Sequence, residues 1–191
     1  MLRQNLWSRS LLDVGCGRGL PVKMLKGYKK VGVDISISSL TNCLQEKTHH
    51  NVVLADASHL PFRDKSFDIA LCLQVLHLLK KRDAMKVLDE LERIACRQII
   101  LAVPKGPPPE GAKAEAAWKS TWEPLELVKR GYRVEYFGFR FLHRSALRRA
   151  GTFCSKFLFA IDPFISIIGK LVPKLMDQYM VCHKMLTFHK R

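Results

Sequence analysis

The sequence predicts an α/β fold, a parallel sheet whose strands are joined by crossover helices. Three observations carry that prediction. Short β-type runs alternate with helical patterns through the first hundred residues. The runs are apolar almost throughout, as strands covered on both faces must be. The first of them passes directly into a turn with glycine at every second position, "LLDVGCGRG" (11–19), at the kind of strand end where an open α/β sheet takes a ligand. With 191 residues, 48% of them hydrophobic, the chain is read as one domain, 1–191, with a sizeable core.

Taken in order, the strand candidates are "SLLDV" (10–14), "VGVD" (31–34), "NVVLA" (51–55), "FDIALCL" (67–73) and "QIILAV" (98–103). Pro21 falls where a first helical turn begins and its missing N–H costs nothing. Asp83 is placed to cap "AMKVLDELERIAC", in which Ala84, Val87, Leu88, Leu91, Ile94 and Ala95 recur at helical spacing. "PKGPPPEG" (104–111) must be a loop. "STWEPLELVKRG" (120–131) reads as a short helix with a serine or threonine start and Gly131 as its stop. "YRVEYFGFRF" (132–141) and "YMVCHKML" (179–186) read as late strands. Residues 1–103 thus form one half carrying the glycine turn. Residues 104–191 form a second half whose stretch 143–178 is first basic and then apolar.

The formal net charge is +15 and unevenly placed. Residues 1–96 hold 15 Lys/Arg against 10 Asp/Glu, giving +5, and residues 97–191 hold 17 against 7, giving +10. Such a half suits nucleic acid, an anionic membrane surface or an acidic substrate. The six cysteines are scattered, with no C-x-x-C pair and no His/Cys spacing for zinc, so no metal site is expected. Reduced thiols in apolar settings point to a reducing, cytoplasmic location. "MLRQNLWSRS" has no apolar core of leader length, and "FCSKFLFAIDPFISIIGKLVPKL" is too interrupted by Lys, Asp and Pro to span a membrane.

The glycine turn excludes two nucleotide motifs. A dinucleotide fingerprint needs a third glycine at position 20, which is Leu20, and a P-loop needs G-K-[S/T]. What stands instead is D-x-G-x-G-x-G: Asp13, Gly15, Gly17, Gly19. Asp34 closes the second strand nineteen residues after Gly15, where a carboxylate can accept both hydrogen bonds of a ribose diol. Asp56 ends the third strand in "LADASHLPF". These residues, with the run "LADASHLPFRDKSFDIALCLQVLHLL" (54–79), resemble class I S-adenosylmethionine-dependent methyltransferases. Within these the run is closely similar to the type 11 domain, the large group that includes ubiquinone and menaquinone biosynthesis enzymes. The likeness is good over about residues 10–103 and loose beyond. It implies a Rossmann-like, seven-stranded, mostly parallel sheet with helices on both faces, and S-adenosylmethionine as cofactor. It further implies a cofactor site of Asp13, Gly15, Cys16, Gly17, Gly19, Asp34, Ile35, Asp56, Ala57 and Leu73. In it the Asp56 carboxylate meets the adenine amino group and the Ala57 N–H a ring nitrogen. The three alternating glycines are expected to leave room for the amino-acid end of the methyl donor.

Methyl transfer from a sulfonium is an in-line displacement in which positioning supplies most of the acceleration. A general base is needed only where the acceptor keeps its proton at neutral pH. In "CLQVLHLL" (72–79) the expected catalytic residues are Gln74, able to orient an acceptor through its amide, and His77, as base or supporting donor. No [D/N]-P-P-[Y/F] tetrad follows the fourth strand, which argues against an adenine or glutamine nitrogen as acceptor. Asp68 is expected to satisfy backbone groups, Asp64 and Lys65 to lie in an exposed turn, and His49–His50 to be a solvated loop pair.

After Trp118, aromatic residues interleave with lysines and arginines. Basic residues 119–156 offer a surface to RNA or an anionic membrane, unless the aromatics are core and the charges a solvated face. The apolar residues 153–172 suit a lid over a hydrophobic acceptor, a lipid-facing surface or a homo-oligomer interface. Three functions stay open: a methyltransferase for a small or lipid-like acceptor, an RNA or protein methyltransferase, and a cofactor-binding subunit that is catalytically silent.

Overall fold

A computed structural model describes residues 9–106, 118–137 and 179–186. β1 (Arg9–Val14) lies at the middle of a seven-stranded sheet with β2 (Tyr28–Asp34), β3 (Asn51–Leu54), β4 (Phe67–Leu73), β5 (Ala95–Pro104), β6 (Arg133–Phe137) and β7 (Tyr179–Met185). The order is β3-β2-β1-β4-β5-β7-β6. β3, β2, β1, β4 and β5 are parallel, and β7 enters antiparallel between β5 and β6. The order reverses beside β1, so the carboxyl ends of β1, β2, β3 and β4 open onto one crevice.

Alternation along the strands sends side chains to two faces. Leu12, Val14, Val33, Ala70, Cys72, Ile99 and Leu101 join the main core with α3 (Lys81–Ile94) and α4 (Pro124–Lys129). Leu11, Ile69 and Leu71 pack on the opposite face with Val22 of α1 (Leu20–Lys23). There Cys16 also meets Leu40 and Cys43 of α2 (Ile37–Gln45), against Val52. Helices therefore cover both faces, as expected, and no helix among the described residues is long and apolar enough to cross a membrane.

Several expected boundaries move. α3 begins at Lys81, so Asp83 lies inside its first turn, where its charge faces the positive end of the helix dipole. α4 starts from Glu123 rather than a serine or threonine: Glu123 and Glu126 form a reciprocal capping box and Pro124 takes the first helical position. Gly131, at φ 87°, ends it as expected. β3 stops at Leu54, so Asp56 lies two residues past the strand. Asp68 behaves as read, accepting from the backbone N–H and hydroxyl of Ser10. Asp64 and Lys65 are exposed, and both brace α3 as well. Asp64 pairs with Arg93, and the Lys65 ammonium donates to the carbonyls of Glu92 and Ala95. The expected apolar segment 153–172 and half of the basic stretch 119–156, residues 138–156, lie outside the described residues.

Candidate functional site

The glycine turn owes its shape to three left-handed residues, each with a different neighbour. Gly15, Gly17 and Gly19 have φ of 70°, 51° and 67°, values that carry a steric penalty for any side chain. A Cβ on Gly15 would stand 2.3 Å from Val75 Cγ2, and one on Gly19 would stand 2.3 Å from Thr48 Oγ1 and 2.7 Å from His49 Cε1. A Cβ on Gly17 meets nothing within 4 Å among the described residues. Among the described residues only the middle glycine therefore has no neighbour where a side chain would stand. The other two admit side chains of the protein, which corrects the expectation that all three make room for a ligand.

The turn's N–H groups are mostly committed. Gly15 and Cys16 donate to the Val33 carbonyl, Gly19 donates to the Cys16 carbonyl, and Gly17 donates to Asp34 Oδ2 at 2.8 Å. A phosphate cradle needs such donors free, so the geometry agrees with the missing P-loop residues. Cys16 contributes backbone only; its thiol is buried beside Cys43, with the sulfurs 3.8 Å apart, and burial pushes its pKa far up.

Asp34 is half-buried at the end of β2, with its carboxylate turned toward the glycine loop. Oδ2 accepts from Gly17 and Oδ1 from the Ser36 N–H at 2.9 Å. A carboxylate has about four acceptor positions, so two remain for a diol. Asp56 is exposed. Its Oδ1 accepts from the Ser58 N–H and hydroxyl, bonds that hold its carboxyl below the usual range, and Oδ2 makes no hydrogen bond among the described residues. The Ala57 N–H likewise donates to no acceptor among them. Ile35 is 76% exposed beside Asp34, an apolar surface fitted to a ring face. Leu73 is half-buried against Leu11, Val22 and Leu71. These residues fit a nucleoside: a diol acceptor, an acceptor–donor pair for a base edge, and an apolar platform.

At the end of β4, Gln74 is exposed and itself left-handed, at φ 62°, with its N–H on the Ala102 carbonyl at 2.7 Å. Such strain in a non-glycine residue collects at functional sites. His77 follows in a single 3-10 turn and is 7% exposed. Residues 118–120 close over it: the Trp118 ring stands 5.0 Å from the imidazole, and the N–H groups of Lys119 and Ser120 donate to the His77 carbonyl. His77 Nδ1 is buried without a hydrogen-bond partner among the described residues, and burial lowers the pKa of the ring. The unfolded chain thus binds this proton more readily, so stability falls as pH drops through the ordinary imidazole value of 6.5. His77→Gln is expected to flatten that acid limb, as urea unfolding at about pH 5 and pH 7.5 will show.

His49 and His50 part company. His50 is exposed and accepts from the Lys30 N–H, whereas the His49 side chain is fully buried, with Nε2 3.1 Å from Asp13 Oδ2. The solvated-pair reading is therefore corrected for His49. The missed signal was Gly32, a glycine inside a strand, which marks a close approach. A Cβ there would lie 3.1 Å from the His49 ring and 2.9 Å from Cys16 Sγ.

Comparison with known proteins bears on the fold and the family. Residues 12–102 match the family model described as a methyltransferase domain. The chain is similar to the 18S rRNA (guanine-N(7))-methyltransferase of Bos taurus, 35% identical over 72 residues, covering 36% of this chain and 26% of that protein. It is also similar to the 27-O-demethylrifamycin SV methyltransferase of Amycolatopsis mediterranei, 32% identical over 120 residues, covering 56% of this chain and 43% of that protein. The chain spans less than half the length of the curated relatives it matches. Among solved structures, a SAM-dependent methyltransferase from Archaeoglobus fulgidus superposes with a TM-score of 0.63 at 17% identity, covering 93% of this chain and 86% of that one.

Proposed function

We propose that the chain, whose residues 12–102 match a methyltransferase domain, is a class I enzyme that transfers a methyl group from S-adenosylmethionine to a small or lipid-like acceptor. One observation carries the reading: Asp34 is locked to Gly17, the one motif glycine that a side chain would leave clear of the described residues, and keeps two acceptor positions for a ribose. Asp34 holds the diol, Ile35 backs the adenine ring, and Asp56 and Ala57 read its edge. The cofactor supplies an electrophilic methyl carbon on a positively charged sulfur.

The remaining work belongs to the chain. Positioning of the acceptor against the crevice falls to Gln74 and His77 at the β4 end. A neutral His77 whose Nδ1 has no partner among the described residues is suited to receive a proton from an acceptor hydroxyl, or to hold it by a hydrogen bond. A small or lipid-like acceptor is supported by the missing [D/N]-P-P-[Y/F] tetrad, by the apolar run 153–172 and by a relative named for methylating a rifamycin. An RNA acceptor is the second reading, favoured by the net charge of +15 and by a relative named for methylating rRNA.

The test is incubation with methyl-labelled S-adenosylmethionine and a cell extract, followed by solvent extraction, nuclease and protease. Label in the solvent-extractable fraction is expected. Nuclease-released label assigns the RNA reading, and protein-bound label a protein acceptor. Label in no fraction, with cofactor binding intact, would establish a silent subunit.

A further inference from the structure

A buried chain of polar groups runs beneath the glycine turn and belongs to none of the motif positions except Asp13. Asp13 Oδ2 is 3.1 Å from His49 Nε2, and His49 Nδ1 is 2.9 Å from Thr48 Oγ1. The Thr48 hydroxyl also lies 3.3 Å from the Cys43 carbonyl. The two histidine contacts are the shorter ones, and one proton assignment serves both: Thr48 donates to Nδ1, and the neutral ring donates from Nε2–H to Asp13. The opposite rotor, with Thr48 donating to Cys43, leaves the Nε2–Asp13 contact without a proton unless one is added.

The imidazole is fitted into place on its other sides too. Gly19 and Gly32 lie against it so closely that a Cβ on either falls 2.7 or 3.1 Å from a ring carbon. Two glycines, one of them the last of the motif, thus clear the slot for this side chain. Asp13, for its part, has a side chain 5% exposed, forms no ion pair with a lysine or arginine among the described residues, and accepts no bond at Oδ1 among them. A buried carboxylate with a single partner is costly until a second donor or a cation arrives.

We infer that His49 is a positioning residue for the cofactor site: its Nε2–H holds the Asp13 carboxylate oriented, with Oδ1 reserved for the ammonium group of the methyl donor. The inference rests on the cofactor reading above. His49 touches no ligand and acts through Asp13, so its effect must vanish when Asp13 can no longer carry charge.

Calorimetric titration with S-adenosylmethionine and S-adenosylhomocysteine tests this in a cycle of His49→Phe and Asp13→Asn, with His49→Gln as the conservative variant. His49→Phe is expected to weaken both ligands about 10- to 100-fold, the scale of one lost hydrogen bond to a charged group. In the Asp13→Asn background the same change is expected to cost less than about twofold. His49→Gln, whose amide nitrogen replaces Nε2–H, recovers binding to within about threefold of wild type. Equal losses in both backgrounds, or no loss, overturn the inference. Should His49→Phe not fold, Thr48→Val, which removes the donor to Nδ1, takes its place with the same criterion. Imidazole nitrogen NMR of the ligand-free protein gives an independent reading: Nε2 protonated and Nδ1 bare is expected, and the reverse tautomer overturns it. If the wild type binds neither ligand, the cofactor reading fails, while the tautomer still decides the geometry.

Discussion

Asp34→Ala is expected to lower the affinity for S-adenosylmethionine by at least about a hundredfold. Two hydrogen bonds from the ribose to a carboxylate, each about 1.5–3 kcal/mol, set that scale. The variant also releases the Gly17 and Ser36 N–H groups that the carboxylate gathers at 2.8 and 2.9 Å, so the turn loses its tie to β2 and the site its preorganisation. Stability should change far less. Gly17 is only half-buried and a side chain there would be clear of the described residues, so water replaces its lost partner and the cost is about 1 kcal/mol. Asp34→Asn is nearly as damaging to binding, because its NH2 group must face one of the two backbone donors. Thermal unfolding with saturating cofactor reads both effects together. The wild type gains stability by mass action and the variant does not, while the ligand-free midpoints stay within a few degrees. An unchanged calorimetric affinity would remove Asp34 from the ribose and the nucleoside reading with it.

The strand ends were legible because they carry local signals. β4 was placed at its observed bounds, Phe67–Leu73, by an apolar run broken only by Asp68 and set between polar turns. Asp34 was found because an acid at a strand end, nineteen residues after a glycine turn, has few purely local uses. Other features hid because their meaning is set by distant partners. Nothing near His49 distinguishes it from His50; Asp13 lies 36 positions away and only folding joins them. The α4 start was misread because serine and threonine are the usual caps, whereas here Pro124 and the Glu123–Glu126 pair decide the first turn. Spacing identified three glycines as one motif and could not say what stands against each.

That difference yields the sharpest separation of fold from function in this molecule. Gly15→Ala is expected to cost about 2–5 kcal/mol of stability, combining a left-handed alanine with overpacking of a methyl group against Val75 Cγ2 at 2.3 Å. In a domain of this size that lowers the unfolding midpoint by about 10 °C. Trimming the obstacle in the Gly15→Ala, Val75→Ala double variant recovers the packing share, so the two changes together cost less than their sum. Gly17→Ala meets no neighbour among the described residues and pays only the backbone share, about 1–2 kcal/mol. Its methyl group projects into the space assigned to the methyl donor, and calorimetry should find S-adenosylmethionine bound about 10- to 100-fold more weakly, since binding must now displace a group that cannot retreat. The two variants thus exchange ranks between the melting curve and the titration. If Gly17→Ala binds like the wild type, the space beside Gly17 holds no ligand, and Asp34 gathers its N–H for the sake of the fold alone.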